Sequence, residues 1–264
     1  MTAPAHGGIQ LVQVDSDAAR ICVREGEVGS PVLVELVDGK DRELPDHLDV
    51  RREGDRLVVQ VRTVREQRWR RGRSLEARLR ISAAPDVALD VRTDAGALKV
   101  DGRSAPVTAR ASAGAVKVDR IVGALDVQTV AGAVKVSDSH GDARISTDAG
   151  AIRLERHHAD AIDLRTSAGA VKATELHVDR ARVATEVGGA KLEFERAPTD
   201  VDVRCAVGAI DVAVPEDRYR IDQETGFLGR AVVEGLSSDP AATRTIRVAS
   251  TGLGASRIRS ATTP

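Results

Sequence analysis

From residue 87 to residue 214 the chain alternates apolar and polar residues with a period of two, and a glycine interrupts the alternation at near-constant intervals. Aligned on Gly96, Gly114, Gly132, Gly150, Gly169, Gly188 and Gly208, the gaps are 18, 18, 18, 19, 19 and 20 residues. Five residues before these glycines stand Val91, Ala109, Val127, Ile145, Leu164, Val183 and Val203. Two residues after them stand Leu98, Val116, Val134, Ile152, Val171, Ala190 and Ile210. Alternation of this kind marks a strand with one buried face. Each unit therefore reads as strand, tight corner, strand, looser corner. A period near 18 is shorter than the common helical repeats and suits one turn of a β-solenoid.

The tight corner recurs almost letter for letter, as "DAGALKV" (94–100), "SAGAVKV" (112–118), "VAGAVKV" (130–136), "DAGAIRL" (148–154) and "SAGAVKA" (167–173). Glycine permits the positive φ of a sharp corner, and alanine on either side keeps it small. One unit cannot bury its apolar face alone, but stacked units can, with like residues over like at roughly 4.8 Å. The expected fold is all-β: a β-solenoid, β-helix-like, with rungs of about 18 residues, preceded by an antiparallel β N-terminal cap. Residues 1–86 are the capping segment, with the clearest hairpin turn at "REGD", Arg52–Asp55. Regular rungs occupy 87–214, an irregular insertion 215–243 and a final rung 244–260, all in one continuous unit.

Composition agrees with a thin, repetitive core. Aromatic residues are only 2% of the 264, so the interior must be built from Val, Ala, Leu and Ile. With 39 basic and 40 acidic residues the charge is balanced, which argues against a bulk attraction to nucleic acid. Two cysteines, Cys22 and Cys205, make neither a disulfide framework nor a metal-binding spacing. The opening "MTAPAHGGIQ" lacks the features of a signal peptide, and no apolar run approaches transmembrane length, so a cytoplasmic location is expected.

The Ala-Gly-Ala corners from Gly96 to Gly169, the late "VASTGLG" (Val248–Gly254) and the hairpin-like opening resemble the bacterial putative-adhesin β-strand-repeat family, the toastrack-like domains of unknown function. The chain departs from that pattern in carrying alanine where an acidic residue usually follows the glycine. The resemblance covers most of the chain and carries no catalytic residues. It implies a scaffold or interaction domain, often linked to envelope or stress-response systems.

Three groups of residues stand out chemically. Lys99, Lys117, Lys135, Arg153, Lys172 and Lys191 fall in one outward column. Carboxylates two residues on, at Asp101, Asp119, Glu155 and Glu193, make it read as a self-neutralising solvated face. Lys135 and Lys172 are followed instead by Ser137 and Thr174, so the middle of the column is expected to be its most basic part and a candidate binding track. His140, His158 and His177 recur on three successive rungs, each followed by Asp142, Asp160 or Asp179. The favoured reading is a column of stacked rings, because one rung of separation is long for ligands converging on one ion. No metal site or other cofactor is expected, and these six residues are the only candidates for one. In "VRTVREQRWRRGRS" (61–74), Arg68, Trp69, Arg70, Arg71 and Arg73 form an arginine and tryptophan cluster between two strand-like runs. That combination suits contact with an anionic surface or polymer, or equally a structural hairpin tip.

The leading functional expectation is a non-enzymatic scaffold or interaction module, binding a protein partner or an anionic surface through the Arg/Trp hairpin, with homo-oligomerisation open to it. The alternative is a β-helix enzyme acting on polysaccharide, with paired carboxylates in the 215–243 insertion (Glu216, Asp217, Asp222, Glu224, Glu234).

Overall fold

The computed structural model describes residues 8–37, 47–62, 77–226 and 229–261, and among these it contains strands and turns but no α-helix. The chain divides into two compact units, 1–130 and 131–264. Each is a β-solenoid of stacked two-strand rungs whose inward positions are aliphatic and whose outward positions are polar.

The first unit holds eleven strands. They are β1 (Leu11–Ser16), β2 (Arg20–Glu25), β3 (Leu33–Val37), β4 (Leu48–Glu53), β5 (Arg56–Val61) and β6 (Arg78–Ala83). They continue with β7 (Ala88–Ala95), β8 (Leu98–Arg103), β9 (Val107–Ala113), β10 (Val116–Ile121) and β11 (Leu125–Ala131). One parallel ladder runs β5, β1, β7, β9, β11, and a second runs β6, β2, β8, β10. The register sets like on like: Val14 lies opposite Val59 on one side and Val91 on the other, and Val91 lies opposite Ala109. Each fully buried side chain of this size contributes about 1.5–3 kcal/mol of transfer free energy.

The opening segment is less antiparallel than its sequence pattern suggests. Among the described residues antiparallel pairing is confined to β4 on β5, through the turn at Gly54, and to β3 on β6. Strands β1 and β2 are instead a parallel rung, inserted between β5–β6 and β7–β8. Their alternation, with Val12, Val14, Ile21 and Val23 buried and the residues between them more exposed, is that of any other rung, but no Ala-Gly-Ala joins them.

The second unit contains β12 (Val134–His140), β13 (Ala143–Ala149), β14 (Ile152–Ala168), β15 (Val171–Val187), β16 (Ala190–Phe194) and β17 (Asp200–Val207). It ends with β18 (Ile210–Val214), β19 (Tyr219–Thr225), β20 (Arg230–Glu234), β21 (Arg244–Ser250) and β22 (Ala255–Ser260). β14 and β15 are single strands of 17 residues that run through the looser corner and pair along their whole length. The stretch 215–243 carries a rung of its own, β19–β20, and the 244–260 rung slots between it and β17–β18. In both units, then, the rung nearest the chain terminus is covered by its neighbour in sequence. This arrangement holds strands that would otherwise fray.

Two aromatic residues are among the largest buried side chains here. Phe194 faces Leu176 across the ladder, and Tyr219 is fully buried with its hydroxyl donating to the Pro215 carbonyl at 3.0 Å. Burial and then the nearby Asp217 push the Tyr219 hydroxyl up to about 12.

Candidate functional site

The tight corners position everything outward of them. At Gly188 φ is +141°, and a Cβ there would overlap the Gly169 carbonyl oxygen of the adjacent rung. Three residues before most corner glycines stands a small hydroxyl or thiol that points inward, and at three corners it caps that carbonyl row. Thr147 donates to Gly132 O at 3.3 Å, Thr166 to Gly150 O at 3.1 Å, and Cys205 to Gly188 O at 3.1 Å. The late "TGLGAS" is another such corner, its Leu253 carbonyl accepting from Gly208 N–H at 2.9 Å.

Three residues after each corner lies the cationic column. In the second unit Lys135, Arg153, Lys172 and Lys191 stand in register on adjacent strands. Lys135 does not lack a carboxylate, as the intrastrand spacing suggests: its ammonium meets Glu155 of the next rung at 2.8 Å. Ser137, at the expected acidic position, is buried instead. Glu155 is held below the usual carboxylate range by the hydrogen bond from Lys135. Lys191 pairs with Glu193 at 2.9 Å, and Glu193 is lowered in the same way. Lys172, beside Thr174, makes no ion pair among the described residues and only adds to the field at Glu193. The Arg/Trp cluster, Arg68, Trp69, Arg70, Arg71 and Arg73, lies outside the described residues.

The histidines do form a column. His140 and His158 stack with ring centroids 4.6 Å apart and planes 11° apart, and His158 and His177 at 4.3 Å and 14°. Lone pairs lie in the ring planes, so parallel rings aim them side by side rather than at one ion. The aspartates are engaged elsewhere: Asp142 accepts from the Ala161 N–H at 2.9 Å, and Asp179 binds Arg196 at 2.5 Å. The nearest carboxylate to the stack is Glu195, 3.7 Å from His177 Nε2. Among the described residues no three His, Cys, Asp or Glu side chains are placed to hold a metal ion. Burial, then the neighbouring rings of His177 and His140, lower the proton affinity of His158.

Two features escaped the sequence reading. His157, next to the stack, is 1% exposed, and among the described residues neither ring nitrogen makes a hydrogen bond of ordinary geometry. Burial pushes it down to about 4; the Gly141 backbone opposes the shift. The looser corner also has its own conformational column. Asp138, Arg156 and Glu175 adopt φ of 52°, 51° and 57°, a left-handed conformation that ordinarily favours glycine. Their charges alternate: Arg156 bonds Asp138 at 2.6 and 2.8 Å and lies 3.9 Å from Glu175. In the first unit Gly102 and Arg120 hold the same conformation, and Arg120 bonds Asp101 at 2.6 Å.

Three of the five candidate carboxylates of 215–243 are tied to separate arginines: Asp217 to Arg244 at 2.9 Å, Asp222 to Arg220 at 3.3 Å and Glu234 to Arg257 at 3.6 Å.

The family described as Toastrack DUF4097 matches residues 46–226 of the chain. No curated protein matches it. Among solved structures it is similar to a putative adhesin from Bacteroides fragilis, at 12% identity and a TM-score of 0.47, covering 93% of this chain and 91% of that one. It is also similar to a putative cell adhesion protein from Clostridium sporogenes, at 11% identity and a TM-score of 0.30, covering 99% and 97%.

Proposed function

The chain belongs to the Toastrack DUF4097 family, and on that premise we propose that it is a non-enzymatic interaction module, binding a protein or an anionic surface through its outward faces. One observation carries this reading: the aliphatic side chains are stacked inside each unit, while the lysines, arginines and carboxylates stand in ladders on the flat outer faces. A ladder of neutralised pairs resists aggregation and leaves specificity to the few cations without a partner. Among the described residues Lys172 is one of them. Six arginines beside Trp69 in 61–74 supply a second cationic element, suited to stacking and bidentate pairing with anionic groups.

The reading is tested by affinity capture from native cells with the full chain and with the variant Arg68→Ser/Arg70→Ser/Arg71→Ser. A partner captured by the first and lost with the second supports it. Capture that is identical with both removes the hairpin from the account. Turnover of a polysaccharide by the purified chain, lost on replacing Glu224 or Glu234, overturns the non-enzymatic reading.

A further inference from the structure

A hollow of about 380 Å3 opens on the outer face of the second ladder of the first unit, over β6, β2, β8 and β10. Between the charged groups its lining includes the corner alanines Ala97 and Ala115 and the buried residues Ile21 and Leu98. Around it stand Arg20, Arg24, Arg78, Arg80, Lys99 and Lys117, with the Cys22 thiol among them and no carboxylate in the lining. The register explains the concentration of charge. Arg20 lies opposite Arg78, Cys22 lies between Arg80 and Lys99, and Lys99 lies opposite Lys117.

Glu35 of β3 lies opposite Arg80 on the same outer face, while Asp101, Asp119 and Glu25 sit further along the strands. Asp101 and Asp119 are opposite each other two residues beyond the lysines, and Asp101 is taken by Arg120 at 2.6 Å, with Lys99 at 3.8 Å. Glu25, at the end of β2, packs against Gly102. Arg20, Arg24 and Lys117 make no ion pair among the described residues. In the same column of the second unit, Lys135, Arg153 and Lys191 each reach a carboxylate. Around the hollow, as at Lys172 in the second unit, neutralisation is incomplete.

Unpaired cations around a hollow focus a positive potential that favours an anion. Guanidinium groups pair with phosphate oxygens in bidentate fashion, and ammonium groups act as point charges beside them. A volume of this size is within the range of small-molecule sites, roughly 300–1,000 Å3. We propose that the hollow is a binding site for a compact polyanion carrying two or more phosphate groups, held by Arg20, Arg24 and Lys117. The proposal goes beyond the interaction-module reading and does not depend on the 61–74 hairpin.

The site contains its own reporter. Cys22 lines the hollow and is partly exposed, whereas Cys205, the other cysteine, is 1% exposed. The test is the rate at which a neutral maleimide labels Cys22 in the full chain, titrated with inorganic pyrophosphate at constant ionic strength set by sodium chloride. Saturable protection is expected, about tenfold when the ligand is at ten times its Kd, with a matching rise in thermal midpoint. The variant Arg20→Ser/Arg24→Ser/Lys117→Ser should lose both effects, and Arg230→Ser, on the exposed β20 of the other unit, should keep them. The three replaced residues are exposed; Arg20→Ser and Lys117→Ser singly give the same comparison if the triple variant does not fold. Vesicles of phosphatidylcholine with and without cardiolipin distinguish the source. Protection by cardiolipin vesicles but not by free pyrophosphate assigns the phosphates to a lipid headgroup, and protection by pyrophosphate assigns them to a soluble molecule. Labelling that neither changes, or that sodium chloride alone slows as much, overturns the proposal.

Discussion

The hydroxyl of Thr166 donates to the carbonyl oxygen of Gly150, 3.1 Å away on the adjacent rung. The bond ties two rungs together at the tight corner, where the backbone has left the ladder and a buried carbonyl needs a donor. Thr147 and Cys205 do the same at their own corners. Thr166→Val keeps shape and removes the donor, so it should cost about 1–2 kcal/mol in urea unfolding. Thr166→Ser should cost less than half of that.

Gly188→Ala should be more damaging than any single change on the outer faces. Its positive φ and the overlap of an added Cβ with the Gly169 carbonyl act together. A loss of about 2–4 kcal/mol is expected, read as a lower urea midpoint with an unchanged slope.

His157 should make the protein acid-labile. Its folded value of about 4 lies below the ordinary histidine value of 6.5, because a charged ring is disfavoured in the buried site. Above pH 6.5 both states are neutral and proton uptake has no effect. Between pH 6.5 and 4 the unfolded chain binds a proton that the folded chain refuses, and stability falls by up to about 3 kcal/mol. Below pH 4 both states are protonated and the loss stops growing. Leu176 stands opposite His157 on the next rung and is fully buried. His157→Leu therefore fits, removes two buried ring nitrogens, and should flatten stability against pH across that window.

Arg103 is a buried cation with a structural task. It is 2% exposed, and its guanidinium donates to the carbonyls of Ala83, Ala84 and Val87 at 2.8, 2.6 and 2.5 Å. Burial lowers its proton affinity, with Asp86 and Glu25 opposing the shift. Arg103→Met strips three buried acceptors of their donor and should cost about 3–5 kcal/mol in thermal or chemical unfolding. Arg103→Lys should recover only part, since one ammonium cannot span the same three carbonyls.

At the looser corner, Glu175→Gly should stabilise the fold by about 0.5–1 kcal/mol, because the left-handed strain is relieved. The contact given up, to Arg156 at 3.9 Å, is long and solvent-exposed. Asp138→Gly should gain nothing or lose, since Asp138 tolerates the conformation and holds Arg156 by two hydrogen bonds.

The rungs themselves were legible. Gly96 to Gly208 announced the corners, the alternation announced the buried faces, and the inward threonines and outward lysines lie where a period of two places them. The histidine column was legible for the same reason, as in-register stacking turns a sequence period into a spatial column. The partner of Lys135 was not, because Glu155 belongs to the next rung and intrastrand spacing says nothing of diagonal neighbours. Nor was the isolation of His157, whose neighbours in sequence are polar while its neighbours in space are the buried Ser139 and Leu176.

What the amino-acid order determined alone was the local repeat: strand, glycine corner, strand, and which face of each strand is apolar. Those properties depend on φ, on side-chain volume and on alternation, all of them short-range. The order of the layers was decided only by the tertiary structure, which set β1–β2 beneath β5–β6 and β21–β22 beneath β19–β20. Parallel strands with similar apolar faces can pair in many orders, and the choice falls to the arrangement that covers the terminal rungs. The same stacking gathered Arg20, Arg24 and Lys117 around one hollow, from segments that nothing in the sequence joins.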